Sequence, residues 1–385
     1  MKLLHTADLH MDRSFEGLNV LPAQLAEQLR SANKKVLNRL VDVAIKKQVD
    51  AVIFAGDTFH QSKTSIQTQT YLMEALQRLN RENIHVVISF GNHDYYDSDR
   101  YWFDFPENVY LFEKEEVETH YFVTNNNERI AVSGFSYRGQ HLEQSKLGEF
   151  PQKASDADIH IGIYHGEPAA EAESNYAPFS LSEMKLLGYD YWALGHIHQP
   201  QILSAEPLIV YPGTPQGHTK KERDLQGAAI VTIQGSNGTV HFEPVAEVSW
   251  ERTSYVLTEC KTKKAALAFL EKELLKEASG RSRLCLKEIQ LEDMNHLGQE
   301  FSISCENGEL LGYLQTKLPK ERLFVFNVSA KNYPRYHKLL VKADPMLLEQ
   351  LENNYLQPEI FSEEMKELLA NPTVSNLMLN GEKGV

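Results

Sequence analysis

The sequence predicts a protein of the α/β class, and three features carry that prediction. Apolar runs alternate with helical patterns along residues 1–100, as expected for strands and helices packed in layers. Two of these runs, residues 51–55 and 85–90, are almost continuously apolar, which is typical of strands covered on both faces. After residue 100, shorter apolar runs separated by turns indicate a second sheet packed on the first.

The individual elements follow from the spacing of apolar residues. In the first hundred residues we expect strands at 2–7, 51–55 and 85–90, one long amphipathic helix at 22–47 and another helix at 66–79. Further short strands are predicted at 109–112, 121–124, 130–135, 160–164, 191–194, 209–211, 229–233 and 240–244. From about residue 251, a strand, a helix at 263–278, a strand at 284–291, a helix near 310–316 and a strand at 323–328 indicate a compact β-α-β-α-β unit.

The chain is long enough for more than one domain. We expect a main domain at 1–250, a smaller α+β capping domain at 251–335 and a C-terminal helical tail at 336–385. Residues 341–385 contain eight acidic and three basic side chains among many apolar ones. The tail either packs back on its own domain or serves as a partner-docking arm.

Composition narrows the class of protein. Hydrophobic residues make up 42% and charged residues 24% of the 385, which is ordinary for a globular enzyme. No apolar run approaches the length of a membrane span and the N-terminus turns polar too early for a signal peptide, so we expect a cytoplasmic protein without membrane contact. The net charge of −14 argues against broad, nonspecific binding to nucleic acid but leaves room for a local basic patch.

Acidic and histidine-containing segments follow the predicted strands of the first half. They are Asp8-Leu9-His10, Gly56-Asp57-Thr58-Phe59-His60, Gly91-Asn92-His93-Asp94, Tyr164-His165-Gly166 and Gly195-His196-Ile197-His198. Because ligands of open α/β sheets bind at the carboxyl ends of the strands, these segments are expected to converge. Taken singly, each Asp or Asn can be a turn or helix cap, and each His a hydrogen-bonded surface residue.

Asp, Asn and neutral His together form a ligand set suited to Mn²⁺ or Fe²⁺. Two divalent ions about 3.5–4 Å apart can hold both the attacking and the leaving oxygen of a phosphate ester. Such a pair needs a bridging carboxylate, and Asp57 is the best candidate because it follows an apolar strand and a glycine that permits a tight exit. The segments therefore predict a two-metal phosphoesterase site.

The ordered series D-x-H, G-D-x-F-H, G-N-H-D, H-G and G-H-I-H resembles the calcineurin-like metallophosphoesterase superfamily. Within it, the stretches at 189–198 and 211–217 make the chain similar to the SbcD-type DNA repair exonucleases, and most of all to their YhaO-like branch. The resemblance covers residues 1–230. It implies a four-layer α/β/β/α metallophosphoesterase sandwich with a smaller cap, and two divalent ions, Mn²⁺ in the first place with Fe²⁺ or Mg²⁺ as alternatives.

Carried over by position, the resemblance implies a role for each motif residue. One ion would be bound by Asp8, His10, Asp57 and His198, and the other by Asp57, Asn92, His165 and His196. His93 is expected to contact the scissile phosphate and protonate the leaving oxygen, with Asp94 orienting it. His60 is expected to place the nucleic-acid backbone.

A loop at 213–218 resembles the family's substrate side. Its expected substrate-binding residues are Gln216, His218, Lys220 and Lys221, although runs of charge are usually only solvated surface. The basic and aromatic stretch at 331–338 has the composition of a stacking surface for nucleic acid, but a solvated linker is the preferred interpretation.

The motifs and the resemblance together favour a metal-dependent DNA exonuclease of DNA repair. The resemblance also implies an SbcC-like coiled-coil ATPase as a partner and, by analogy with the family, a homodimer. Two alternatives stay open. One is a phosphatase or phosphodiesterase for a small molecule or cyclic nucleotide, because the same metal site serves those reactions. The other is a non-catalytic scaffold that binds DNA ends.

Overall fold

Two large mixed sheets form the frame of the protein in the computed structural model, which describes residues 1–18, 21–169, 174–223, 227–235 and 237–330. The strands are β1 (Lys2–Thr6), β2 (Ala51–Ala55), β3 (His85–Ser89), β4 (Val109–Leu111), β5 (Glu118–Val123), β6 (Arg129–Gly134), β7 (Ile159–His165), β8 (Tyr191–Gly195), β9 (Gln201–Ala205), β10 (Leu208–Tyr211), β11 (Ala228–Gln234), β12 (Asn237–Glu243), β13 (Val248–Val256), β14 (Leu284–Glu292) and β15 (Leu323–Ala330). The helices are α1 (Ala23–Arg30), α2 (Ala32–Lys47), α3 (Ile66–Arg81), α4 (Leu181–Leu186), α5 (Lys263–Ser279), α6 (Gln299–Glu306) and α7 (Glu309–Lys317).

Parallel strands occupy the centre of both large sheets. The first sheet has the order β12-β11-β1-β2-β3-β4, and β1 to β4 run parallel. The second has the order β5-β6-β7-β8-β10-β9, and β6, β7, β8 and β10 run parallel. The carboxyl ends of neighbouring parallel strands therefore meet at one edge of each sheet, which is where ligands bind in such folds.

The apolar core lies in layers between these sheets and helices. One layer joins α2 and α3 to the outer face of the first sheet, through residues such as Leu40, Leu76 and Val52. A second fills the space between the two sheets, and a third covers the far face of the second sheet, where Trp192 and Met184 are fully buried. The predicted α/β class, with helices outside two packed sheets, is confirmed.

A third sheet of order β13-β14-β15 packs against α1. Its residues Trp250 and Leu286 share an apolar cluster with Leu25 and Leu29. The division of the chain at residues 250 and 335 stays a prediction, and the predicted tail at 336–385 lies outside the described residues.

The single helix predicted over residues 22–47 is wrong at Ser31, where the structure has two helices. The Ser31 hydroxyl donates a hydrogen bond to the Gln28 carbonyl oxygen at 3.0 Å, a local bond that competes with regular helix geometry. The two halves also bury their apolar residues against different sheets, since α1 packs on the third sheet and α2 on the first. As separate helices, the two halves can each pack on their own sheet.

Strand β9 and helices α4 and α6 were not predicted from the sequence. Cys260, Cys285 and Cys305 are buried free thiols. Among the described helices, none is both long enough and apolar enough to cross a membrane.

Candidate metal centre

The predicted metal-binding residues lie at the carboxyl ends of strands from both large sheets. Asp8 and His10 follow β1, Asp57 follows β2 and Asn92 comes shortly after β3. His165 is the last residue of β7, while His196 and His198 follow β8. The side chains of Asp8, His10, Asp57 and His165 are at most 2% exposed. Seven residues from distant parts of the chain thus meet where the two sheets face each other.

The first group of potential ligands consists of Asp8, His10 and His198. The Nε2 atoms of His10 and His198 lie 3.2 Å apart, and His198 Nε2 lies 3.8 Å from Asp8 Oδ1. Two imidazole nitrogens and a carboxylate therefore surround one small volume, as the ligands of a single cation do.

Asp57 joins this group to a second group of potential ligands, which contains Asn92 and His165. Its Oδ2 atom lies 3.8 Å from His10 Nε2 and 3.5 Å from His165 Nε2. His165 Nε2 is in turn 3.2 Å from Asn92 Oδ1. The carboxylate of Asp57 therefore lies between imidazoles of both groups, which is the position that a bridging ligand requires.

His196 lies at the edge of the second group. Its ring centroid is 5.4 Å from that of His165, and its Nε2 atom is 3.7 Å from Glu167 Oε2. Its backbone N–H donates to both carboxylate oxygens of Asp8, at 3.0 and 3.2 Å. The His196 main chain thereby fixes the orientation of Asp8.

The backbone is strained where it carries the ligands. Asp8, His10, Asp57 and His196 have φ values of 53°, 45°, 52° and 101°, in the left-handed region that residues other than glycine seldom adopt. Hydrogen bonds between the loops after β1 and β2 offset this strain, from Asp8 N to Gly56 O at 3.0 Å and from His10 N to Asp57 O at 3.1 Å. Strained residues collect at functional sites because the surrounding structure holds them there.

Three glycines make room for the His165 ring. A Cβ atom on Gly56 would lie 2.2 Å from His165 Nδ1, one on Gly91 would lie 2.6 Å from His165 Nε2, and one on Gly195 would lie 2.6 Å from His165 Nδ1. Each glycine stands directly before a predicted ligand residue. The glycines of these motifs therefore serve close packing as well as turn geometry.

Hydrogen bonds on the far side of two imidazoles fix which nitrogen faces the site. His165 Nδ1 donates to the Ala55 carbonyl oxygen at 2.9 Å, and His198 Nδ1 lies 2.5 Å from Glu222 Oε1. In both residues this leaves Nε2 toward the ligand groups, which is the usual support of a metal-binding histidine. The donor set and its supports fit divalent cations of intermediate hardness.

Asp94 holds the loops of the site together. Its two carboxylate oxygens accept four backbone N–H groups, from Asp57, Thr58, Phe59 and Gly91, at 2.8–3.2 Å. The expectation that Asp94 orients the His93 ring is not met by a direct hydrogen bond. The ring nitrogen Nδ1 of His93 instead lies 3.1 Å from the His60 carbonyl oxygen.

His93 and His60 stand beside the first ligand group. Their rings stack with centroids 4.8 Å apart, and both come within 5.1 Å of the His10 ring. The His93 backbone N–H donates to Asp57 Oδ1 at 3.0 Å, and the His60 N–H donates to Asp12 Oδ1 at 2.6 Å. Both imidazoles therefore border the candidate metal centre, and the roles expected for them from the sequence stay predictions.

Two of the four expected substrate-binding residues are buried inside the protein. The Gln216 amide binds backbone groups of Gly217, Glu247 and Val248, and it is only 1% exposed. His218 is fully buried, with Nε2 2.9 Å from Asn33 Oδ1. Neither side chain is accessible to a substrate in this structure, whereas Lys220 and Lys221 are exposed.

Two residues that support the site were not identified from the sequence. Glu222 binds His198 and also accepts the backbone N–H groups of His218 and Thr219. Asn33 on α2 donates to the carbonyl oxygens of His10, Met11 and Arg13. An Asn on a helix and a Glu in a charged loop carry no distinctive motif, so only the structure reveals these contacts.

The charges of the centre are strongly coupled. Burial opposes ionisation of Asp57, but the neighbouring His165 and His10 hold its pKa well below the usual range. Burial alone would lower the pKa of His165, yet the carboxylates of Asp57 and Asp8 outweigh it and raise that pKa to about 9. Without a metal ion, a proton on His165 therefore supplies positive charge next to Asp57.

Comparison with known proteins agrees with this geometry. Residues 1–200 match the family model described as calcineurin-like phosphoesterase. The chain is 29% identical over 350 residues to the protein named uncharacterized metallophosphoesterase YhaO from Bacillus subtilis (strain 168). The aligned region covers 90% of this chain and 85% of that protein.

More distant relatives have names that state a role in DNA metabolism. The SbcD subunit of the nuclease SbcCD from Bacillus subtilis (strain 168) is 25% identical, over 65% of this chain and 68% of its own length. The DNA double-strand break repair protein Mre11 of Methanopyrus kandleri is 24% identical, over 66% of this chain and 58% of its own length.

A methyl group at position 91 should disrupt the centre. In Gly91→Ala the new Cβ would lie 2.2 Å from Asp57 Oδ1, so the carboxylate or the His165 ring must move. We expect loss of bound metal, measured by mass spectrometry of metal content, and a decrease of about 1–3 kcal/mol in the free energy of unfolding. Gly139→Ala, with no heavy atom within 4 Å of its new Cβ, is the matched control. Wild-type metal content in Gly91→Ala would contradict the packing argument.

Metal binding should release protons and become tighter as the pH rises from 7 to 9. Below the raised pKa of His165 the ring is protonated in the metal-free protein, and a cation must displace that proton. The dissociation constant should fall by up to about tenfold per pH unit for one proton released. Titration calorimetry in buffers of different ionisation enthalpy measures the proton release directly, and binding that is independent of pH over this interval would refute the coupling.

Proposed function

Because the chain belongs to the calcineurin-like phosphoesterase family, we propose that it is a two-metal phosphodiesterase that hydrolyses DNA, as an exonuclease of DNA repair. The observation that carries the proposal is the position of Asp57 between His10 and His165. A carboxylate shared by two ligand groups is the arrangement that places two cations against one phosphate.

The residues of the chain have distinct roles in the proposed reaction. When bound, two divalent ions supply Lewis-acid activation of the phosphodiester, and Mn²⁺ is the ion we propose, with Fe²⁺ or Mg²⁺ as alternatives. Asp8, His10, Asp57, Asn92, His165, His196 and His198 would hold the ions. Gly56, Gly91, Gly195 and Asp94 keep those ligands in place.

His93 is the proposed general acid. Its Nδ1 is engaged with the His60 carbonyl oxygen at 3.1 Å, which makes Nε2 the ring nitrogen that is free to meet a substrate. A protonated His93 can donate from Nδ1 to that carbonyl and from Nε2 to the leaving oxygen at the same time. The stacked ring of His60 restricts the motion of His93 and borders the same cleft.

The choice of DNA as substrate rests on the relatives of the chain. Two relatives are named as a nuclease and as a DNA double-strand break repair protein. The net charge of −14 favours the alternative, a phosphatase or phosphodiesterase for a small molecule or cyclic nucleotide. The complete ligand set speaks against a non-catalytic scaffold.

The partners and the location of the protein are proposals as well. We propose an SbcC-like coiled-coil ATPase as partner, by analogy with the SbcCD nuclease named above, and a homodimer as the assembled form. We also propose a cytoplasmic location, which is compatible with action on DNA.

Replacement of His93 tests the proposed chemistry. His93→Ala should retain the metal content of the wild type, while the rate of diester cleavage falls by about 10²–10⁴, the usual contribution of a general acid. The assay compares labelled linear DNA, a cyclic nucleotide and bis(4-nitrophenyl) phosphate, each with Mn²⁺. His141→Ala, at the rim of the same cleft, is the matched control.

Each outcome of this assay distinguishes between the alternative functions. Cleavage of linear DNA by the wild type supports the nuclease, and cleavage of the cyclic nucleotide alone supports the small-molecule enzyme. Absence of turnover on all three substrates by metal-loaded protein would favour the scaffold. Full activity of metal-loaded His93→Ala would exclude His93 as the acid.

A further inference from the structure

The two groups of ligands are oriented by different kinds of acceptor. In the second group, His165 Nδ1 donates to a neutral backbone carbonyl, that of Ala55, at 2.9 Å. In the first group, His198 Nδ1 lies 2.5 Å from Oε1 of the Glu222 carboxylate. A hydrogen bond to an ionised acceptor is shorter and roughly twice as strong as one between neutral groups. The orientation of His198 therefore depends on a charged side chain, whereas that of His165 depends on the backbone.

His198 is the most exposed of the four histidines in the two groups. Its side chain is 28% exposed, against 16% for His196 and 1% for both His10 and His165. The His165 ring is also enclosed by three glycine positions at which an added side chain would clash with it. Packing therefore restrains the ring of His198 less than the ring of His165. The contact with Glu222 has to supply the missing restraint.

The Glu222 carboxylate is itself held in place. Its Oε2 atom accepts the backbone N–H groups of His218 at 2.7 Å and Thr219 at 2.9 Å. Its Oε1 atom accepts from Arg13 Nη1 at 3.3 Å, beside the contact with His198. Both oxygens are therefore fully engaged as acceptors, and the carboxylate cannot turn away from His198 without breaking these hydrogen bonds.

The loop that leads to Glu222 is anchored on two sides. On one side, Trp250 Nε1 on β13 donates to the carbonyl oxygen of Gly217 at 2.9 Å. On the other, Thr214 Oγ1 donates to the carbonyl oxygen of Asp8 at 2.7 Å. The third sheet and the first ligand group are thus joined through this loop, which fixes the point from which the Glu222 side chain reaches the site.

We propose that Glu222 is a positioning residue that sets the affinity of the ion in the first ligand group, here called the first ion, and not that of the second ion. The inference rests on the two-metal site of the proposed function. An ionised carboxylate can only accept hydrogen bonds, so neutral His198 carries its proton on Nδ1. Nε2 then keeps its lone pair toward His10 and Asp8, where a cation needs a ligand. The second ion does not depend on this carboxylate, because His165 is oriented by the backbone.

Glu222→Gln tests the inference, because an amide has one accepting oxygen where the site needs two. If that oxygen accepts from His218 and Thr219, the NH₂ group faces His198 and moves the ring proton to Nε2, which then cannot bind a cation. In the opposite orientation, the NH₂ group opposes two backbone donors. We expect the dissociation constant of the first Mn²⁺ to rise about 10- to 100-fold, the usual effect of losing such a support, while that of the second does not rise.

Titration calorimetry with Mn²⁺ measures both dissociation constants, and anomalous diffraction at subsaturating Mn²⁺ shows which ion is lost. In Glu222→Gln the peak near His198 should weaken and the peak near His165 should persist. Glu16→Gln is the matched control, because the exposed Glu16 side chain pairs with the same arginine, Arg13, at 3.0 Å and the substitution removes the same charge. It should leave both constants as they are in the wild type.

Loss confined to the first ion supports the inference. Equal weakening of both ions, or wild-type affinity for the first, overturns it and leaves the proposed function standing. Wild-type protein that binds fewer than two Mn²⁺ ions overturns both, whereas two bound ions without cleavage of any phosphodiester overturn the proposed function alone. If Glu222→Gln does not fold, Glu222→Asp keeps the charge but withdraws the carboxylate from His198 by one methylene. It should show the same selective loss in weaker form, and the same outcomes decide.

Discussion

The contact of the His165 ring with the end of β2 is the interaction on which the rest of the site depends. His165 belongs to the second sheet, and its Nδ1 donates to the carbonyl oxygen of Ala55 in the first sheet at 2.9 Å. This bond fixes the distance between the two sheets at their carboxyl edge and directs Nε2 toward Asp57 and Asn92. The ring fits only because Gly56, Gly91 and Gly195 carry no side chain. The packing of the His165 ring therefore determines both the separation of the two sheets and the assembly of the ligands.

Electrostatics explains why this site suits cations. Asp8 and Asp57 are both buried, and transfer of a carboxylate from water to the protein interior costs several kcal/mol unless positive charge compensates. Burial raises the pKa of Asp8. Burial also opposes ionisation of Asp57, but the nearby histidines outweigh it and lower the pKa of Asp57. The two buried carboxyl groups therefore differ in their tendency to ionise. Divalent ions would remove this conflict, because both carboxylates could then be ionised. The strained backbone at Asp8, His10 and Asp57 is consistent with a site that cross-loop hydrogen bonds hold in a binding geometry.

Much of the fold and the ligand set could be predicted from the sequence, because both depend on local patterns. Apolar runs identify strands such as β2 and β3, and the polar residues just after them mark the carboxyl edge of a parallel sheet. The break at Ser31 could not be predicted, because α1 and α2 pack on different sheets and the periodicity of the sequence does not say which. The burial of Gln216 and His218 was missed for a similar reason, since the third sheet and Asn33 supply their partners from far along the chain. The role of the glycines could have been suspected, because one precedes each of Asp57, Asn92 and His196.

Diffraction from crystals grown with Mn²⁺ would show whether Asp57 lies between two bound metal ions. Anomalous scattering should show two peaks for each chain, one on either side of the Asp57 carboxylate, with His10 and His198 near one and Asn92 and His165 near the other. In Asp57→Asn both peaks should weaken together, because a ligand common to both ions has been changed. A single peak, or two peaks that do not share Asp57, would show that this carboxylate does not bridge two ions.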